Sequence, residues 1–164
     1  MIKYYNAMVV FEEIPDEITI AINITNCPCH CVGCHSKFLW EDIGKELTFE
    51  ELERLIEANK GITCICFMGG DATPHEINDL AEKVHLRSEY SNIKIAWYSG
   101  RDELSSDINL RFFNYIKLGH YDDNMGPLNK KTTNQRLYKI VNNVNLEDIT
   151  YKFWEREKGM PTIK

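Results

Sequence analysis

The sequence lacks any hydrophobic run long enough to cross a lipid bilayer, for which about 20 consecutive apolar residues are needed. Residues 1–10 include Lys3 and Asn6, and they lack both the hydrophobic stretch and the small-residue cleavage site of a secretory signal peptide. We therefore expect no membrane contact, and the cytoplasm is the expected location of the chain.

Basic residues are in deficit. The chain has 19 Lys and Arg against 25 Asp and Glu, which gives a formal net charge of −6 at pH 7. Binding to phosphate backbones needs a surplus of cations, so no nucleic-acid partner is expected. A hydrophobic content of 43% and a charged content of 27% are typical of a globular protein. The length of 164 residues suits one domain, and we predict a single domain over residues 1–164.

No low-complexity tract or internal repeat interrupts the chain, and strand and helix signals alternate over its first two-thirds. A period of two is clearest where four isoleucines alternate with small or polar residues: Ile18, Thr19, Ile20, Ala21, Ile22, Asn23, Ile24 and Thr25. One face of this strand is bulky and the other is small. That division is typical of a barrel-like sheet whose outer face meets helices and whose inner face borders a ligand.

The other elements follow from capping signals and apolar runs. Two helices are predicted to start at Thr48 and Thr73, each with a capping box closed by Glu51 or Glu76. Further predictions are strands over 62–68, 93–98 and 115–118, a short helix over 101–110 and an irregular loop over 122–133. Alternating strands and helices favour parallel pairing. The predicted fold class is therefore α/β, a partial, open (β/α) barrel of mostly parallel strands with outer helices.

Cysteine is the residue type whose placement indicates chemistry. The six cysteines form two groups, Cys27, Cys29, Cys31 and Cys34, and then Cys64 and Cys66. In a reducing compartment, such a cluster indicates metal binding or redox chemistry and not a disulfide framework. The first group follows the alternating strand directly. The carboxyl ends of parallel strands are where such folds usually place their chemistry.

Three thiolates, from Cys27, Cys31 and Cys34, are spaced to hold one 4Fe–4S cluster with each sulfur on a different iron. One iron is then left without a protein ligand, and a substrate or cofactor can chelate it. Two alternatives remain open. A structural zinc site has ample candidate ligands, with His30, His35 and Cys29 among them and Cys64 and Cys66 as a second pair. An electron-transfer ferredoxin needs a suitably spaced fourth cysteine, and Cys29 breaks the usual run.

Together, three ordered segments resemble a known family. The spacing Cys27-x-x-x-Cys31-x-x-Cys34 matches the cluster motif of the radical S-adenosylmethionine enzymes. Gly69-Gly70-Asp71 resembles their Gly-Gly-Glu stretch, which contacts the amino group of the methionine moiety. The later segments 126–129 and 132–136 make the chain similar to the activating enzymes of anaerobic ribonucleoside-triphosphate reductase.

The resemblance implies two cofactors, a 4Fe–4S cluster held by the three motif cysteines and S-adenosyl-L-methionine bound beside it. The cofactor-binding residues that it implies are Gly33, His35, Gly69, Gly70 and Asp71. It implies an oxidoreductase that takes an electron from a donor such as flavodoxin and cleaves S-adenosylmethionine to a 5′-deoxyadenosyl radical. That radical would remove a hydrogen from a glycine of the partner, anaerobic ribonucleoside-triphosphate reductase.

The chain departs from the family pattern in four places. Many radical enzymes have an aromatic residue at the position of Gly33, and an aromatic residue often stands at the position of His35. Asp71 replaces the commoner Glu, and 118–121 lacks the acidic residue often found before its glycine. The alternatives kept are an activase of another glycyl-radical enzyme, a small-molecule radical enzyme and a non-catalytic zinc-binding module. The short chain disfavours the small-molecule enzyme.

Several further residues are given expectations without a catalytic role. Cys64 and Cys66 lie in an apolar strand and are expected in the core. Trp97 is expected either to border the adenosine or to lie in the core. The polar run 134–136 indicates a helix start.

Overall fold

The computed structural model describes residues 1–154 of the chain. Within that range the strands are β1 (Lys3–Val10), β2 (Thr19–Ile24), β3 (Lys45–Glu46), β4 (Cys64–Met68), β5 (Lys94–Tyr98), β6 (Tyr115–Leu118), β7 (Arg136–Val141) and β8 (Asn145–Asp148). The α-helices are α1 (Phe49–Ala58) and α2 (Pro74–His85), and short 3-10 helices span Lys37–Trp40, Ser88–Tyr90 and Leu110–Phe112. None of the helices in residues 1–154 has the length and apolar character needed to cross a membrane.

The eight strands form one open sheet in the order β3-β1-β2-β4-β5-β6-β7-β8. Its centre, β2-β4-β5-β6, is parallel, and four antiparallel ladders flank it. The mixed α/β class is therefore confirmed, whereas the expected majority of parallel pairs is wrong. The error arose because the outer strands β1, β7 and β8 gave no clear period-two pattern. Curvature of the sheet into a partial barrel stays a prediction.

The two faces of the sheet differ as the alternation in β2 predicted. The bulky face packs against both α-helices and includes Ile20, Ile22, Ile24, Ile65, Phe67, Ile95, Trp97 and Ile116. The other face carries the smaller Cys64, Cys66 and Ala96, covered by Ile14, Ile149 and Phe153. Cys64 and Cys66 are both 0% exposed, which confirms them as core residues. Burial raises the pKa of the Cys64 thiol to about 12, so it stays protonated at neutral pH.

Helix α1 begins after Thr48 as predicted, but only half of its capping box forms. The Thr48 hydroxyl accepts a hydrogen bond from the Glu51 backbone N–H at 3.1 Å. The Glu51 carboxylate does not reach back to Thr48. It accepts hydrogen bonds from Arg54, Lys45 and Tyr4 instead, and Arg54 makes the largest contribution to holding its pKa well below the usual range.

Helix α2 begins at Pro74, which suits the first turn because proline has no N–H to leave unpaired. The predicted box of Thr73 and Glu76 is wrong, because the Thr73 side chain makes no capping hydrogen bond. The Glu76 carboxylate accepts from the backbone N–H of Ile2 at 3.3 Å and so ties the start of the chain to this helix.

The register of the parallel strands brings their carboxyl ends level. Met68 of β4 lies opposite Tyr98 of β5, and Tyr98 lies opposite Lys117 of β6. Asn23 of β2 lies opposite Met68 on the other side. The four segments that follow these strands therefore meet at one edge of the sheet.

At the opposite, amino edge, Glu17 is the centre of a buried network. Its side chain is 4% exposed and forms an ion pair with Lys94. It also accepts hydrogen bonds from the hydroxyls of Thr63 at 2.6 Å and Tyr115 at 3.1 Å. We call these four residues the Glu17 network. It joins the segment before β2 to the amino ends of strands β4, β5 and β6.

Two segments differ from expectation, and one agrees. The helix predicted over 101–110 is wrong, since this stretch is irregular; Ser105 accepts from the Asp107 N–H, a local bond that competes with helix formation. The helix start predicted at 134–136 is also wrong, because Arg136 begins strand β7. The loop over 122–133 is irregular, as expected.

Candidate metal centre

The cysteine loop, residues 26–35, leaves the carboxyl end of β2 through two left-handed residues, Asn26 (φ 60°) and His30 (φ 44°). The backbone N–H of Cys27 donates to the Leu39 carbonyl at 2.9 Å. The His30 ring stacks on Trp40, with centroids 4.5 Å apart and an angle of 12° between the planes. The 3-10 helix Lys37–Trp40, which follows the motif, thus contacts the cysteine loop at two points.

All four cysteines of the loop are free thiols of intermediate exposure. The hydrogen bond with Cys29 lowers the pKa of the Cys27 thiol to about 6 and raises that of Cys29. Because the thiolate is the form that binds metals, a lowered pKa favours Cys27 as a ligand.

The loop does not form a preassembled site for a single ion. Among residues 1–154, no three His, Cys, Asp or Glu side chains converge as ligands of one metal ion. A tetrahedral zinc site needs such convergence, with each sulfur about 2.3 Å from the metal. A 4Fe–4S cubane places each thiolate on a separate iron, so it needs the thiols around one volume and not at one point. The three half-buried motif cysteines on one loop fit that donor set.

Asp71 and its hydrogen-bond donors Ser99 and Gly100 form a surface that contacts the cysteine loop, and we call this surface the Asp71 wall. Asp71 is 1% exposed, and its carboxylate accepts hydrogen bonds from Ser99 Oγ at 2.5 Å and from the Gly100 N–H at 2.9 Å. The Cys29 thiol lies 3.7 Å from Asp71 Oδ2. A Cβ atom on Gly100 would stand 2.9 Å from Cys29 Sγ, so a side chain there would require the Cys29 thiol to move. The structure therefore brings Asp71 and the cysteine loop together.

Gly69 and Gly70 make the turn between β4 and this wall with φ of 109° and 92°. A Cβ on Gly70 would lie 2.6 Å from Ile77 Cδ1, so close packing of α2 alone excludes a side chain there. Trp97 donates from its indole N–H to the Gly69 carbonyl at 2.7 Å and is 0% exposed. Of its two expected roles, the core one is confirmed.

Lys117 lies below the same edge and was missed by sequence reasoning, because a lysine in a strand gives no signal of burial. Its ammonium group donates to the carbonyls of Ser99 and Gly119, each at 2.9 Å. Burial lowers its pKa to about 8. This single side chain fixes the segments that follow β5 and β6 relative to each other.

Gly33 and His35 contact the segment that follows β6. The His35 ring meets Tyr121 edge-on with centroids 5.7 Å apart. A Cβ on Gly33 (φ 79°) would overlap the Asp123 carboxylate, 2.0 Å from Oδ2. The segment after β6 therefore packs against the cysteine loop at both residues. Their roles in cofactor binding stay predictions.

A cavity of about 820 Å³ opens beside this wall. Cys29, Asp71 and Gly100 line it on the side of the cysteine loop, and Asp102 and His120 line it further out. The volume lies within the range of about 300–1,000 Å³ that is typical of ligand pockets. The segment 101–107, predicted as a helix, supplies much of its lining.

Comparison with known proteins gives a family. The sequence model of the 4Fe-4S single cluster domain matches residues 18–140, which include the cysteine loop, the Asp71 wall and β6. Neither the curated proteins nor the solved structures gave a match to the chain. The matched range covers most of the chain and agrees with the donor set described above. The chain belongs to the 4Fe-4S single cluster domain family, and it is an iron–sulfur protein.

Proposed function

We propose that this chain is a cytoplasmic radical S-adenosylmethionine activase that generates a glycyl radical on anaerobic ribonucleoside-triphosphate reductase. The observation that carries the proposal is the contact of the cysteine loop with the Asp71 wall, beside a cavity of about 820 Å³. A cluster with one open iron and a pocket for its chelating ligand have to be neighbours, and this contact supports that arrangement. The resemblance of three ordered sequence segments supports the finer identity.

In this proposal, Cys27, Cys31 and Cys34 hold the 4Fe–4S cluster. When bound, the cluster and S-adenosylmethionine supply a strongly reducing electron and a carbon–sulfur bond whose cleavage yields a hydrogen-abstracting radical. The chain's own part is to bind, orient and shield. The Cys29 thiol contacts the Asp71 carboxylate and so positions the cysteine loop beside the cavity.

Asp71 is proposed to bind the ammonium group of the methionine moiety. Its carboxylate accepts hydrogen bonds from neutral donors, Ser99 Oγ and the Gly100 N–H, and has no ion pair with another of the described residues. A buried carboxylate without a direct cation gains from a cationic ligand through a charge-assisted hydrogen bond. Gly69 and Gly70 are proposed to let the ligand approach the backbone closely.

A protein substrate is favoured over a small one. The cavity beside Asp71 lies at the carboxyl edge of the sheet and is open to solvent. A glycine on an extended loop of a large partner reaches such a site without being enclosed. The partner proposed is anaerobic ribonucleoside-triphosphate reductase, and the electron donor is a one-electron carrier such as flavodoxin.

Anaerobic reconstitution with iron and sulfide, followed by electron paramagnetic resonance, tests the cofactor part. We expect a reduced 4Fe–4S signal that changes when S-adenosylmethionine is added, because the ligand binds the open iron. The matched control is Cys64→Ala, which removes a buried core thiol and should leave the signal unchanged. A cluster signal that is indifferent to S-adenosylmethionine would favour an electron-transfer ferredoxin and reject the proposal.

The partner is tested in a second experiment. The reduced protein is mixed with S-adenosylmethionine and the reductase, and the glycyl radical doublet is recorded. We expect the doublet on the reductase only when both components are present. S-adenosylmethionine-dependent radical formation on a different glycyl-radical enzyme, but not on the reductase, would replace the partner and keep the chemistry.

A further inference from the structure

Strand β1 has one side that no neighbouring strand covers along most of its length. The sheet order places β1 between β3 and β2, and β3 pairs only with Lys3 and Tyr4. On the other side, β2 pairs with β1 as far as Val10. Within residues 1–154, no strand therefore pairs with residues 5–10 on the side of β3. We call this stretch the open edge.

The sequence of the open edge lacks the features that usually protect a strand at the edge of a sheet. Residues 5–10 read Tyr-Asn-Ala-Met-Val-Val, without a charge or a proline. Natural edge strands usually carry charged residues or proline, which discourage pairing with another chain. Here Tyr5, Met8 and Val9 are 54%, 49% and 38% exposed. An uncharged edge with exposed apolar side chains is suited to pair with a strand from another molecule.

The other edge strands of the same sheet show the usual protection. Strand β8 has four residues, all exposed, and ends with the charged Glu147 and Asp148. Strand β3 has only two residues, Lys45 and Glu46, and both are charged. These edges are short and charged, whereas the open edge of β1 is neither. The composition of the open edge is therefore a local feature and not a general property of the chain.

The open edge is complementary to itself when two copies pair antiparallel about a two-fold axis at Met8. Met8 then faces Met8 of the other copy, Ala7 faces Val9, and Asn6 faces Val10. The pairing with β2 places Ala7 and Val9 on the bulky face of the sheet and the other three residues on the opposite face. Each facing pair thus shares a face, as a continuous sheet requires. Self-complementarity of this kind is the condition for a two-fold interface.

The charges that flank the open edge favour the same antiparallel arrangement. Glu12 and Glu13 follow the open edge, and Lys3 precedes it with a side chain that is 32% exposed beside Asp42. Parallel pairing of two copies would bring both acidic pairs together, and like charges at neighbouring positions repel. Antiparallel pairing separates the acidic pairs and moves each toward Lys3 of the other copy. A second copy in this orientation therefore matches the open edge in both its apolar and its charged positions.

We propose that this chain forms a two-fold homodimer through the open edge, with the β1 strands of the two copies paired antiparallel about Met8. The two sheets then continue into one. The occupant of the open edge is a second copy of this chain and not a strand of a different protein. The inference goes beyond the proposed function and does not depend on it, since it rests on the edge of the sheet and not on the cofactors.

The open edge is connected to the candidate metal centre. The ring of Tyr5 packs against that of Phe38, with centroids 4.9 Å apart. Phe38 belongs to the 3-10 helix Lys37–Trp40, in which the Leu39 carbonyl accepts a hydrogen bond from the Cys27 N–H. A second copy on the open edge therefore packs beside the residues that support the cysteine loop. The cavity is lined by segments that follow β4, β5 and β6, and β2 separates these strands from the open edge.

Sedimentation velocity of the full-length, anaerobic, cluster-loaded protein over a range of concentrations tests the dimer. We expect a species of twice 19.2 kDa that dissociates on dilution. Met8→Lys places two ammonium groups opposite each other at the axis and should weaken dimerisation at least about tenfold. Leu146→Lys is the matched control, because Leu146 is 39% exposed on the charged edge strand β8, and it should leave dimerisation unchanged.

Charge reversal at the same position tests the register. Met8→Glu alone should also weaken dimerisation, whereas an equimolar mixture of Met8→Lys and Met8→Glu should recover it, because residue 8 faces residue 8. Met8 is 49% exposed, so a charged side chain can reach solvent in the monomer, and circular dichroism checks the fold of each variant. Hydrogen exchange on the wild-type protein needs no substitution. Amides of residues 5–10 should gain protection at concentrations that favour the dimer, and those of residues 145–148 should not.

The outcomes are distinct. A wild-type protein that stays monomeric at every concentration up to its solubility limit overturns the homodimer and leaves the proposed function in place. A dimer that Met8→Lys does not weaken, without added protection of residues 5–10, shows that the open edge is not the interface. Loss of the dimer in both charged variants without recovery in their mixture overturns the register about Met8.

Discussion

The two ends of the central sheet each bury a carboxylate, and they treat it differently. At the amino edge, the Glu17 side chain is 4% exposed and forms an ion pair with Lys94. At the carboxyl edge, Asp71 is 1% exposed, and its carboxylate accepts hydrogen bonds from Ser99 and from the Gly100 N–H, both neutral. The first charge has a contact ion-pair partner, whereas the second accepts hydrogen bonds only from neutral groups and interacts with the buried Lys117 ammonium at longer range.

Because of this difference, we expect the amino edge of the sheet to contribute mainly to stability and the carboxyl edge mainly to ligand binding. Removal of one partner from a buried ion pair leaves the other charge buried and uncompensated, which destabilises the fold. We therefore expect the amino edge to contribute to stability. A buried carboxylate without a contact ion pair can form one with a cationic ligand. The cysteine loop and the cavity of about 820 Å³ lie at that second edge. Substitutions at the two edges should therefore have separable effects.

The largest effect is expected from Cys31→Ala at the carboxyl edge. Two thiolates would be left of the three proposed to hold the cluster, so we expect loss of the bound cluster, measured as iron and sulfide per chain after anaerobic reconstitution. Cys66→Ala is the control, because that thiol is 0% exposed in the core and is not a ligand. Full iron content in Cys31→Ala would remove this cysteine from the ligand set.

A large loss of stability, without loss of iron, is expected from Lys94→Met at the amino edge. The Glu17 carboxylate would stay buried without its cation, which costs about 3 kcal/mol of unfolding free energy, at the low end because Lys94 is half-exposed. Urea unfolding measures this loss, and the iron content should not change. Lys60→Met, at a side chain that is 83% exposed, should change the unfolding free energy by less than about 0.5 kcal/mol. Equal losses in the two variants would contradict the role of the Glu17 network.

A pH-dependent effect is expected from Lys117 at the carboxyl edge. Its pKa of about 8 lies below the ordinary lysine pKa of 10.5, so between these values the unfolded chain binds a proton that the folded chain has released. The stability due to this group therefore rises with pH across that window, by up to about 2 kcal/mol between pH 8 and pH 10.

Comparison of the wild-type protein with Lys117→Gln isolates this contribution. The difference in unfolding free energy between the two should change in favour of the wild-type protein as the pH rises from 8 to 10. Measurement by urea unfolding at pH 7, 8, 9 and 10 gives the slope. If the difference in unfolding free energy between the two proteins did not change with pH, folding would not lower the pKa of Lys117.

The smallest effect is expected from Tyr115→Phe, which removes one hydroxyl from the Glu17 network. The Glu17 carboxylate keeps its bonds to Lys94 and Thr63, so we expect a loss of about 1 kcal/mol and a small drop in melting temperature. The matched change at the other edge, Ser99→Ala, should cost a similar amount and also weaken binding of S-adenosylmethionine. Weaker binding in Tyr115→Phe as well would show that the two edges are coupled.

Local patterns in the sequence predicted the centre of the molecule well. The isoleucine alternation identified β2, the apolar run gave β4, and residues 115–118 form β6 with the predicted bounds. Each of these is encoded by neighbouring residues, whose side chains alternate between two faces or are buried on both. The motif spacing of the cysteines is local in the same sense and led to the iron–sulfur family that the comparison confirms.

What the sequence did not predict depends on contacts between distant segments. Cys29 meets Asp71 across 42 positions, and Lys117 reaches the Ser99 carbonyl across 18. Both contacts exist because the strand register aligns the carboxyl ends, and no local pattern encodes that register. Strands β7 and β8 were missed for a related reason. The residues of β8 are all exposed at a sheet edge, so its sequence carries no apolar alternation.

The stacking of His30 on Trp40 makes the cysteine loop visible to fluorescence spectroscopy. An indole in contact with a ring inside the motif senses whether that ring moves, and the emission of Trp40 therefore responds to rearrangement of the loop. The chain has three tryptophans, so Trp97→Phe together with Trp154→Phe would leave the emission of Trp40 alone. Loading of the loop and its response to ligands can thus be followed in solution without an added label.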